Sequence, residues 1–370
     1  MQQFIERFKN LSSAQQLAIG GSAAVLLILL ITAVVVAGGG GEPVAVTSTT
    51  TSTTVPMEST TTSTTPESTT TTTEPALVGD TWPLTGIVDP EAVPTSPILV
   101  AKIDNSSSSR PQTGLGQADM VVEVLVEGGV ARFLAFYQST IPNEIGPIRS
   151  TREVDPRLIA PFDVVFAYSG GVPANVEAVQ QVATDAGHPS LGSAAYSRDP
   201  GRPAPYDLML DPAAALDLAG PTSGDIWFRF EEEPPVGERA LTVEVALSPI
   251  MDLTYRWSSI DQGFLRFHGE TAHVDDTGEQ IVASNVVVLS VEQFDSGRTD
   301  GAGNPVPDYQ VTGTGTAFVF RDGVAITGTW ERGSQDGFFR LLDEAGQPIP
   351  LAPGKVWIEL MPTGRAVGWQ

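Results

Sequence analysis

The chain has 370 residues, 41% of them hydrophobic, with 20 Lys and Arg against 44 Asp and Glu and a net charge of −24. So acidic a surface repels phosphates at long range and disfavours non-specific binding to nucleic acid. The absence of Cys rules out disulfides, thiolate nucleophiles, Cys zinc sites and a lipid-bearing Cys behind a hydrophobic segment.

Residues 17–37 carry no charge, and at the helical rise such a run spans about 31 Å, one hydrocarbon core. Arg7 and Lys9 precede it and the next basic residue is Lys102. The positive-inside rule therefore places the tail 1–16 in the cytoplasm and the rest outside. The run is longer than the apolar region of a signal peptide, which points to an uncleaved, single-pass transmembrane helix. Residues 47–73 include 21 Ser or Thr. A tract with so little to bury cannot offset its ordering entropy, so 38–79 reads as a disordered stalk.

From 80 to 232 strands and helices mix. Pro97–Asp104 is a buried-strand run, and Met120–Val126 with Val130–Gln138 reads as a hairpin around Glu127-Gly128-Gly129. Asp163–Tyr168 is a further strand, entering Ser169-Gly170-Gly171 and a helix over Pro173–Ala186. Asp211–Leu218 is a second helix, with Asp211 as its N-cap. Glu231-Glu232-Glu233-Pro234-Pro235 makes a stiff joint, beyond which 233–370 is nearly all β. Its runs are Leu241–Leu247, Phe264–His268, Ile281–Val291, Tyr309–Phe320, Val324–Glu331 and Lys355–Met361, separated by turns. The class is α+β: a transmembrane helix, a stalk, a mixed α/β domain and a mostly antiparallel β domain.

Certain strings go beyond periodicity. They include Pro83-Leu84-Thr85-Gly86, Lys102–Asn105, Arg110-Pro111-Gln112, Gln117-Ala118-Asp119, Val126–Gly129 with Arg132-Phe133, Ile145–Arg152, Ser169-Gly170-Gly171 and Arg198-Asp199 with Arg202–Pro205. In the second region they include Phe267–Glu270, His273, Asp275, Asn285-Val286 and Trp357-Ile358. Together these resemble the YerB-type bacterial lipoprotein family over residues 82–362. The resemblance implies a two-part domain and an envelope protein, and no reaction. The chain departs from the family pattern in lacking a lipobox Cys, in Ala131, and in Tyr206-Asp207 where His-Asn is usual.

Acid–base chemistry would draw on Asp104, Glu123 and Glu127. Spaced four apart, Glu123 and Glu127 share a face if both lie on one strand, with Arg132 placed opposite by the hairpin. Arg110, Arg132, Arg149, Arg152, Arg198 and Arg202 fall inside the family-like strings, and guanidinium forks suit carboxylate or phosphate. Ser169, Gly170 and Gly171 would lend backbone N–H groups to the same anion. No Ser lies in a nucleophile-elbow string with the His residues of the chain, and His273 with Asp275 is too small a set for a metal. No metal or cofactor is implied. The leading expectation is a binding or accessory module for an anionic envelope ligand, a cell-wall glycan or an envelope protein. The alternative is a wall-directed hydrolase or transferase working through the carboxylates.

Overall fold

The computed structural model of the protein describes residues 80–370. The helix expected over 17–37 and the stalk expected over 38–79 lie outside the described residues.

In chain order the longer strands of the first half are β1 (Ile98–Asp104), β2 (Met120–Leu125), β3 (Ala131–Tyr137) and β4 (Val164–Ala167). The second half adds β5 (Thr242–Ser248), β6 (Met251–Ser258), β7 (Gly263–His268), β8 (Asn285–Thr299) and β9 (Pro305–Gln310). It ends with β10 (Gly313–Arg321), β11 (Val324–Arg332), β12 (Arg340–Leu342), β13 (Val356–Pro362) and β14 (Val367–Trp369). Helices are few: α1 (Asp155–Ile159), α2 (Pro173–Val182) and α3 (Pro212–Leu216).

One 12-stranded mixed sheet has nine strands in the order β12-β11-β10-β8-β13-β2-β3-β1-β4, completed by β9 beside β8, Glu238–Arg239 beside β11 and Thr184–Asp185 beside β4, so it contains strands from both sides of the Glu231–Pro235 joint. The bridge is β13, which pairs in parallel with β8 on one side and with β2 on the other. Strands covered on both faces lose polar alternation, and every residue of β1, β2, β3 and β13 is buried. A six-stranded antiparallel sheet containing β7-β6-β5-β14 packs against one face of the large sheet, and α1 lies on the other.

The strands and the hairpin of the first half fall where the sequence pattern places them. Gly128 and Gly129 take φ of +72° and +76° in its turn, a region that favours Gly. The region is nonetheless mostly β rather than mixed α/β. The helix expected to reach Ala186 stops at Val182, because Thr184–Asp185 joins the sheet in parallel beside β4. The second helix is shorter than Asp211–Leu218, yet Asp211 caps it as expected, its Oδ1 accepting from the N–H groups of Ala213 at 3.0 Å and Ala214 at 3.4 Å. In the second half the run Tyr309–Phe320 breaks into β9 and β10, since Gly313 adopts φ +107°.

Candidate functional site

Strands β1, β3 and β2 carry charges on both of their faces. Asp104 pairs directly with Arg132, and Glu123 with Phe133, which in turn pairs with Ile103. Directly opposed residues project to one face, and residues two apart share it. Lys102, Asp104 and Arg132 therefore lie on the face of α1, and Glu123 lies on the face covered by the second sheet. Glu127 does not share the face of Glu123 as expected, because β2 ends at Leu125 and the period-2 count stops there.

On the first face three guanidinium groups gather. Arg149 Nε lies 2.7 Å from Asp104 Oδ2, and Arg132 Nε lies 3.9 Å from the same oxygen. Arg152 grips Glu127 with both arms of its fork, Nε at 2.6 Å from Oε1 and Nη2 donating to Oε2 at 2.9 Å. Arg132 Nη1 donates to the Ser150 carbonyl at 2.9 Å. Ser169, Gly170 and Gly171 border the same place. The Ser169 N–H donates to the Arg149 carbonyl at 2.9 Å, and the Thr151 N–H donates to the Gly170 carbonyl at 2.8 Å. Beneath them Lys102 Nζ meets Asp155 Oδ1 at 2.7 Å, with both side chains wholly buried. Asp155 Oδ2 also accepts from the Arg152 N–H at 2.8 Å and from the Thr151 hydroxyl at 3.2 Å, which fixes the arginine-bearing segment to the sheet. The ring of Tyr206 lies 5.6 Å from the Arg149 Cζ.

Three cations against two carboxylates leave this cluster with one positive charge in a strongly acidic chain. Burial and the neighbouring Arg152 and Arg149 push the Arg132 pKa down to about 10, which keeps it charged at neutral pH. Burial alone would raise the Glu127 pKa, but the hydrogen bond and charge of Arg152 outweigh it and hold it below the ordinary value. Glu127 therefore stays ionised and is no proton donor. The Arg149 and Arg152 side chains keep 22% and 18% of their surface, so these two guanidinium-bearing side chains reach solvent while Arg132 is buried.

The other expected arginines do not join it. Arg110 donates from Nε to Asn105 Oδ1 at 3.0 Å. Arg198 pairs with Asp207 at 2.7 Å, and Arg202 pairs with Asp199 at 3.3 Å while donating to the Ser109 and Pro111 carbonyls.

On the opposite face Glu123 enters a network that sequence reasoning missed. Its Oε2 accepts from Arg266 Nη2 at 2.6 Å and its Oε1 from Asn105 Nδ2 at 2.7 Å. Glu359, wholly buried and in register beside Glu123, accepts from the Tyr255 hydroxyl and from Trp357 Nε1 at 3.0 Å. Arg266 Nη1 lies 3.0 Å from His268 Nε2 and 2.7 Å from His273 Nδ1, and His273 Nε2 lies 2.8 Å from Gln112 Oε1. Arg266 has no acceptor, so both facing His nitrogens accept, and His273 donates to Gln112 from its other nitrogen. Burial, then the Arg266 charge, drives both imidazole pKa values far down, which keeps the rings neutral. One signal was legible: MVVEVL and VWIELM each hold a lone Glu in an otherwise apolar strand. His273 and Asp275, considered together for a metal, part company, since Asp275 accepts from the N–H and hydroxyl of Thr277 in a turn. With Glu123 enclosed, the three candidate catalytic carboxylates do not meet in one cleft. A surface groove of about 600 Å³, lined by residues such as Gln310, Thr314, Glu331 and Arg340, includes none of these groups.

Two family models match the chain, described as the N-terminal domain of a protein of unknown function (DUF3048), over residues 84–223, and its C-terminal domain, over residues 243–358. Among curated relatives, "Putative lipoprotein YerB" of Bacillus subtilis is 25% identical over 295 residues, covering 76% of this chain and 86% of that protein. The crystal structure of YerB protein from Bacillus subtilis superposes with a TM-score of 0.68 at 22% identity, covering 78% of this chain and 99% of the other.

Proposed function

Because the chain belongs to the YerB-type family, whose two parts are the N- and C-terminal DUF3048 domains, we propose that it is a membrane-anchored envelope protein that binds an anionic ligand at Arg132, Arg149 and Arg152. The observation that carries this reading is the convergence of those three guanidiniums on only two carboxylates, with Arg149 and Arg152 partly open to solvent. Pre-organised guanidinium forks recognise carboxylate and phosphate groups. The carboxylates nearby are engaged by arginine, and Glu127 has a lowered pKa, which favours binding over acid–base catalysis. The relative named as a lipoprotein supports the envelope location. In this reading 17–37 is a transmembrane helix that takes the place of a lipid, the N-terminus is cytoplasmic, and 38–79 is a stalk that carries the folded part outside. Its partners are a cell-wall glycan or another envelope component.

The test is a pull-down with the full chain in detergent micelles against isolated envelope fragments, comparing the protein with its Arg149→Ala/Arg152→Ala variant. Retention of bound material is expected to fall at least about tenfold, the loss of one or two charge-assisted contacts. Equal retention by both proteins would reject the site.

A further inference from the structure

The charge of the arginine cluster carries information about the charge of its ligand. The surrounding ionic groups are closed pairs: Lys102 with Asp155, Arg198 with Asp207, Arg202 with Asp199, and Arg298 with Glu153 at 2.5 Å. Arg110 is engaged with Asn105, on the side of the Glu123 network. What faces the open side is Arg132, Arg149 and Arg152 against Asp104 and Glu127, a surplus of one positive charge. The remaining donors are neutral, the Ser150 and Ser169 hydroxyls, which lie 3.3 Å apart. A doubly charged group would bring uncompensated negative charge beside two partly buried carboxylates. A singly charged one would close the balance.

We propose that this site is built for an oxyanion bearing a single charge, the phosphodiester or carboxylate of an envelope polymer, and discriminates against the doubly charged phosphomonoester. The inference rests on the anion-binding reading above and adds the ligand's charge class. Tyr206, whose ring lies 5.6 Å from the Arg149 Cζ, supplies a flat, half-buried surface of the kind a sugar ring packs against, next to the place the anion would occupy.

The test uses the full chain in detergent micelles and three polymers of matched length: a poly(glycerol phosphodiester), a polyuronate and a dextran bearing phosphomonoesters. Calorimetry is run near pH 8, where the monoester is doubly charged. The diester or the uronate is expected to bind at least about tenfold more tightly than the monoester polymer. Binding of the diester alone assigns the phosphate source, and binding of the uronate alone assigns the carboxylate source. Glu127→Gln removes one negative charge and is expected to erase or reverse the preference. Asp104→Asn makes the same change from the other side of the cluster and replaces it should the first variant fail to fold. The charge-matching proposal is overturned if the monoester binds as well as the others, or if the charge variants leave the ratio unchanged. If envelope fragments are still retained through Arg149 and Arg152, the anion-binding reading survives that result. Binding of none of the three polymers overturns the proposal, and with unchanged envelope retention in the arginine variant it overturns both.

Discussion

Glu359 stands in register beside Glu123 across two parallel strands, and a single guanidinium, that of Arg266, faces the pair. Two adjacent buried carboxylates cannot both ionise against one cation. Burial and the Glu123 charge push the Glu359 pKa well above its ordinary value, so it is the protonated partner. The arrangement of its oxygens agrees, for Oε1 accepts two hydrogen bonds while Oε2 has no donor facing it.

Glu359→Gln should therefore be tolerated, since an amide reproduces the protonated acid. At neutral pH the folded protein holds a proton on Glu359 that the unfolded chain has released. Stability thus falls as pH rises above about 4.3, the unfolded value, by up to roughly 1.4 kcal/mol per pH unit. The Gln variant lacks this slope, so it should match the parent near pH 4 and exceed it increasingly towards pH 7. Urea midpoints at several pH values check this. Parallel profiles would show that Glu359 is ionised.

Arg266→Met should cost about 3–5 kcal/mol, because it leaves the Glu123 charge buried without its partner. Both side chains are wholly enclosed. The double variant Arg266→Met/Glu123→Gln should lose less than the two single losses combined, which a double-mutant cycle in urea reads directly. Additive losses would mean that the ion pair has no energetic coupling.

Lys355 donates to the Gly116 carbonyl at 2.5 Å, and burial lowers its pKa to about 8 against the opposing pull of Asp119 and Asp275. NMR of isotopically labelled lysine should show one Cε resonance with a midpoint near 8. The folded state releases this proton before the unfolded chain does, so its contribution to stability is lost as pH falls from about 10.4 to the folded value near 8. Lys355→Met should be the more stable protein at neutral pH. A midpoint near the ordinary lysine value would contradict the enclosure of this ammonium.

Gly171→Ala would place a Cβ 2.7 Å from the Thr151 methyl. Thr151 adjoins Arg152 and hydrogen-bonds Asp155, so the displacement should cost about 1–3 kcal/mol and weaken ligand retention together with it. Thermal unfolding and the envelope pull-down measure the two effects. A stable variant with full retention would show that the Gly171 backbone has room to move.

The site was legible in part, and the limit has a physical cause. Arg132, Arg149, Arg152, Glu127 and Ser169–Gly171 were identifiable because guanidinium groups and a Gly pair in an acidic chain stand out locally. Their convergence depends on contacts between segments: Arg149 with Asp104, and Thr151 with Gly170. Asp104 and Glu123 looked equivalent as acidic residues in strands, and only the register shows that they point to opposite faces. Arg266 and Tyr255 escaped notice since nothing in GFLRFH or MDLTYRWS reveals that these polar groups face the interior. The elements followed the same rule. Short runs of apolar and β-branched residues located β1 to β4, whereas the end of α2 was decided by a pairing with β4 that no local window contains.

Strand β13 also bears on the order in which the chain can acquire its structure. Its residues 356–362 fill the position between β8 and β2, so the amino-terminal strands, though synthesised far earlier, keep an unpaired edge until that last segment arrives. Long-range parallel pairing of this kind is slow and leaves aggregation-prone edges exposed meanwhile. A product truncated before residue 356 would be left with β2 as an open template for another strand, and such fragments should be prone to aggregation and proteolysis.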